Sequence, residues 1–77
     1  TPIGDAHAAC VIGLNEMLTP RLLGRALLSV QNSIAIPRSL PQPDVAVLLW
    51  RRDRYRSGKP GPANIHLVIE VADTSLR

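Results

Sequence analysis

The chain has 77 residues, enough for one small domain with a thin core, and its 45% hydrophobic and 19% charged content is that of a folded protein. No apolar run approaches the roughly 18–20 residues of a membrane helix, and no basic stretch leading into an apolar one marks a signal peptide. The net charge of +3 is unevenly spread: Arg51, Arg52, Arg54, Arg56 and Lys59 against Asp53 make a local +4, which leaves −1 for everything else.

Along the chain, Gly4-Asp5 ahead of "AHAACVIGLNEML" reads as a helix start with Asp5 as N-cap. Val11, Leu14 and Leu18 recur at i, i+3 and i+7, so the spacing predicts an amphipathic helix over about residues 6–18, ended or kinked by Pro20 and closed by Gly24. Cys10 beside Val11 reads as a buried, inert thiol; a single cysteine makes no internal disulfide and fits a reducing, cytoplasmic setting. His7, near the helix start, is read as structural.

"RALLSVQNSIAI" is extended in character, a strand over about 26–36 in which Gln31-Asn32 marks a bulge or turn. The polar pair satisfies backbone groups there, or binds water or phosphate beside an acidic site. "PRSLPQP" is a proline-rich loop. Strands over 45–50 and 65–72 follow, joined by "RDRYRSGKPGPAN". Both are nearly continuous in apolar residues, which predicts central strands covered on both faces. "ADTSLR" then offers a helix N-cap at Asp73, Thr74 or Ser75 with no helix after it, as expected of a piece of a larger domain.

Each of these two apolar strands carries one acid. Strand parity places Asp44 with Ala46, Leu48 and Trp50, and Glu70 with His66, Val68 and Ala72, so neighbouring strands would bring Asp44 and Glu70 together on one face at one end of the sheet. Two converging carboxylates repel, and a hard divalent cation, Mg²⁺ or Mn²⁺, resolves the conflict while supplying hydrolytic chemistry. The competing reading is plainer: Asp44 follows a proline at a wet strand end and Glu70 pairs with an arginine. The residues alone leave both open.

"QPDVAVL" followed, 26 positions after its Asp, by "LVIEVADTSLR" resembles the Pro-Asp … Asp/Glu-x-Lys signature of the restriction-endonuclease-like superfamily. Taken in order, "GDAHAACVIGLNEML", "GRALLSVQNSIAI", "PQPDVAVLLWRRDRY" and "HLVIEVADTSLR" resemble successive blocks of the Uma-two family, a large bacterial family assigned as endonucleases and long catalogued as a domain of unknown function. The resemblance implies an α+β fold of the restriction-endonuclease-like type: an N-terminal helix, then a mixed β-sheet, cut off before a second core helix. It implies Asp44 and Glu70 as catalytic, metal-holding acids, the Val71 carbonyl as a further ligand, Mg²⁺ or Mn²⁺ as cofactor and DNA as substrate. The motif's lysine falls on Ala72, so a displaced lysine is expected beyond Arg77 and cleavage by these 77 residues is expected to be impaired.

Arg51, Arg52, Arg54, Arg56 and Lys59 are candidate phosphate contacts, although a solvated connector explains them as well, and Tyr55 is expected to anchor that loop by packing rather than to stack on a base. His66 is read as a strand-end histidine. A second functional class stays open: a non-catalytic α+β interaction module that forms at least a dimer through an uncovered sheet edge and touches nucleic acid through the arginine loop.

Overall fold

Helix α1 runs Asp5–Leu22 in the computed structural model, which describes residues 4–35 and 42–72. Gly4 caps it in an extended conformation and Asp5 is the first helical residue, its carboxylate favourable near the positive helix end. The helix therefore starts one residue earlier than the capping pattern suggests. It also continues past Pro20, whose ring removes a single intrahelical bond. The apolar stripe explains the extension: Val11 is buried, and Leu14, Leu18 and Leu22 are half-buried behind it at helical spacing. The expected break comes at Gly24, which takes φ +79°. Cys10 is exposed, not buried, because it lies beside that stripe and not on it.

Three strands follow, β1 (Ala26–Val30), β2 (Val45–Leu49) and β3 (Ile65–Ile69), in the order β1-β2-β3 and antiparallel throughout. All three are shorter than the sequence pattern suggests. β1 stops where Gln31 turns to φ 56°, and Ser33–Ala35 carry no strand. Residues 36–41 and 73–77, with the expected end of β1, most of the proline loop and the cap at Asp73–Ser75, lie outside the described residues.

β2 is the central strand that its composition predicts. Val45 is fully buried, and Ala46, Val47 and Leu48 with it, forming the core together with Val11 and Ile34. β3 is not central among the described residues: it is an outer strand, with Leu67 at 52% and Val68 at 38% exposure. Continuous apolar character marks burial on both faces only when a layer covers each face, and α1 packs on the opposite edge, against β1. A short 3-10 turn, Pro62–Asn64, leads into β3, with the Asn64 side chain accepting the Gly61 N–H at 3.0 Å. The Ala35 N–H donates to the Pro60 carbonyl at 2.8 Å and ties the chain after β1 to the end of the connector.

Candidate functional site

The β2–β3 register pairs Val45 with Ile69, Ala46 with Val68 and Val47 with Leu67. One step further out, this register sets Asp44 opposite Glu70. The backbone ladder stops at Val45–Ile69, and side chains continue it. The Val71 N–H donates to Asp44 Oδ2 at 2.8 Å, and the Asp44 N–H donates to Glu70 Oε1 at 3.4 Å. On its other side Asp44 is tied to β1, its carbonyl accepting the Gln31 N–H at 3.1 Å. Gln31-Asn32 thus lies next to the acidic site through the Gln31 main chain, while Asn32 Nδ2 donates to the Ser29 side chain, at Oγ, at 3.2 Å and not to a backbone group.

The second oxygen of Asp44 meets a residue that the sequence reading set aside. His7 Nε2, on the first turns of α1, lies 3.1 Å from Asp44 Oδ1, with both side chains mostly covered at 20% and 16% exposure. The signal was present: His7 is four residues before Val11 and heads the same stripe that continues through Leu14 and Leu18. A polar residue on a buried stripe needs a polar partner, and the partner is 37 residues away, beyond the reach of spacing arguments.

Asp44 accordingly has its pKa lowered. The main cause is the Val71 N–H, which favours the charged carboxylate; partial burial opposes it, and the His7 contact and charge add to the lowering. Among the described residues neither Asp44 nor Glu70 pairs with an arginine or lysine. The plain reading of Glu70 as an arginine's partner thus finds no support there. Nor do three His, Cys, Asp or Glu side chains converge among the described residues as a preformed metal cage. His66 is exposed, at the irregularity between Val47 and Leu48 where β3 carries an extra residue, away from Glu70. Ala72 is exposed.

The arginine loop is organised around Asp53. Its carboxylate accepts the Tyr55 N–H at 3.0 Å, the Ser57 hydroxyl at 2.8 Å and Arg51 at 3.4 Å. These bonds hold Arg54 and Tyr55 in the left-handed region at φ 53° and 64°, which non-glycine residues rarely adopt. Tyr55 anchors the loop as expected, though by a polar contact as well as its ring. Its hydroxyl donates to the Leu49 carbonyl at 2.6 Å, and the Arg51 guanidinium lies 4.7 Å from its ring centroid. Arg54 lies 5.3 Å from the Trp50 ring centroid and donates to the Arg52 carbonyl. Two of the five basic candidates, half-buried Arg51 and exposed Arg54, are thus engaged within the loop, and Arg52, Arg56 and Lys59 are exposed as well.

The model of the Uma2 family, described as "Putative restriction endonuclease", matches residues 1–77. No curated protein and no solved structure matches the chain.

Because the folded-state pKa of Asp44 is depressed, its stabilising contribution is complete above its unfolded value of about 3.8 and disappears as pH falls through the lower folded value. Asp44→Asn keeps an acceptor for Val71 but does not titrate. Urea midpoints should therefore show wild type ahead of the variant at pH 5–7, with the gap closing below about pH 4. A gap that stays constant down to acid pH would remove the charged Asp44–Val71 contact as its source.

Proposed function

The chain belongs to the Uma2 family, and from that premise we propose that it carries the acidic half of an endonuclease site, in which Asp44 and Glu70 hold Mg²⁺ or Mn²⁺ for hydrolysis of DNA phosphodiester bonds. The observation that supports this most directly is the meeting of the two acids at one end of the β2–β3 pair without an intervening arginine or lysine among the described residues. Two like charges in that position favour a cation.

The donor set suits a hard ion. It comprises two carboxylates with the adjacent Val71 carbonyl as the third oxygen, and each Asp44 oxygen keeps a lone pair after accepting its hydrogen bond. A bound divalent ion supplies a water of lowered pKa and offsets charge on the phosphate under attack. The protein's own part is orientation. Asp44 is held from two sides, whereas the more exposed Glu70 is met, among the described residues, by one long N–H contact and can swing onto an incoming ligand. Ala72 brings no cationic group to the position where the superfamily's lysine is expected, so the described residues hold an ion better than they orient a nucleophile.

Isothermal calorimetry with Mn²⁺ tests the site. Wild type should bind, and Asp44→Asn or Glu70→Gln should each abolish the heat. Unchanged affinity in both variants would end the metal assignment. In a plasmid-nicking assay, any cleavage by this chain should be weak, require Mg²⁺ or Mn²⁺ and stop with chelator.

Arg52, Arg56 and Lys59 are exposed cations that would follow the DNA backbone, while Arg51 and the ring-stacked Arg54 shape the loop that presents them. Each phosphate contact contributes about −0.9 to the slope of log K against log salt. Replacing all three by Ala should flatten the slope by about that amount per contact; an unaltered slope would return the loop to the role of a solvated connector.

A second copy of the chain is the proposed cover for β3, whose outer position leaves Leu67 and Val68 exposed. Sedimentation should show at least a dimer, and Leu67→Lys should shift it toward monomer. A wild-type chain that stays monomeric at high concentration would contradict this pairing.

A further inference from the structure

We propose that His7 is a positioning residue: it sets the plane of the Asp44 carboxylate for the cation without touching the cation itself. This deepens the metal reading above and rests on it. A carboxylate attached by one bond turns about that bond unless both oxygens are held. Asp44 receives one donor on each oxygen, and the donors come from different elements. Val71, two residues past β3, gives its main-chain N–H to Oδ2 at 2.8 Å, and α1 brings His7 Nε2 to 3.1 Å from Oδ1. The arrangement orients the acid before any ligand arrives.

His7 is suited to support rather than to ligation. Its Nε2 is directed at the Asp44 oxygen, and among the described residues it forms no three-residue ligand cluster with the two acids. Its ring is largely covered and lies on the stripe that packs α1, so its place is set by the core and not by solvent. Outer-shell donors of this kind orient ligating groups, and their loss typically lowers metal affinity by about 10–100-fold. A histidine on the first helix thereby links the packing of α1 to the chemistry at the end of β2.

Two substitutions separate donor from volume. His7→Leu removes the donor but continues the apolar stripe, so the fold is expected to persist; His7→Gln restores an N–H donor at similar reach. Two readouts are needed, the chemical shift of the Val71 amide and Mn²⁺ affinity by calorimetry. In His7→Leu the Val71 amide should move while the β2–β3 ladder amides stay in place, and Mn²⁺ should bind about 10–100-fold more weakly. In His7→Gln both should return toward wild type.

If His7→Leu binds Mn²⁺ as tightly as wild type, with the Val71 amide unmoved, the positioning role is wrong even though the metal reading stands. Equal loss in both variants would assign the effect to ring packing and overturn the donor role. A wild-type chain that binds no Mn²⁺ would overturn the metal reading and the ligand-setting role with it, while a moved Val71 amide in His7→Leu would locate that failure in the metal rather than in the contact.

Discussion

One residue, Asp44, ties the helix to the three-stranded sheet of this small structure. Asp44 is at the start of the buried central strand, accepts the Val71 N–H at the end of β3, and meets His7 from α1, while its own carbonyl takes the Gln31 N–H at the end of β1. Buried strands leave no room for an unpaired charge. Here the charge is placed one residue outside the fully buried Val45, where the ladder ends and side chains have to complete it. Removing it would leave donors from two different elements without their acceptor.

That constraint also explains why Glu70 is where it is. With β2 and β3 antiparallel and in register from Val45–Ile69 to Val47–Leu67, the residues that follow on from this register are Asp44 and Glu70. The irregularity at Val47/Leu48 shifts only the far end, so it moves His66 out of register and leaves the acidic end untouched. The Uma2 family match covers the whole chain, and the two acids it includes are brought together by two hydrogen bonds at one end of the β2–β3 pair.

Much of this was legible beforehand, and for local reasons. The helix stripe, the two β-branched runs and the proline-rich break are short-range patterns, and strand parity by itself brought Asp44 and Glu70 to one face. What escaped is non-local. The length of α1 follows the half-buried stripe on to Leu22, past the interruption at Pro20. The exposure of β3 depends on which strand lies outermost, which composition does not encode. His7 depends on a partner 37 residues away; its position on the Val11 stripe was visible, its partner was not. The arginine cluster was legible as charge, but Asp53 had to be seen accepting three donors before Arg51 could be separated from the exposed Arg52, Arg56 and Lys59.

The proposed function requires a cation gripped where the first strand-end acid faces the second. Paramagnetic broadening of backbone amide signals by Mn²⁺ reads that location directly. The proposed site requires broadening centred on Asp44, Glu70 and Val71 and extending to His7, with the Arg51–Lys59 loop spared. Broadening centred elsewhere, at Asp5, Glu16 or Asp53, or none at all, would contradict it.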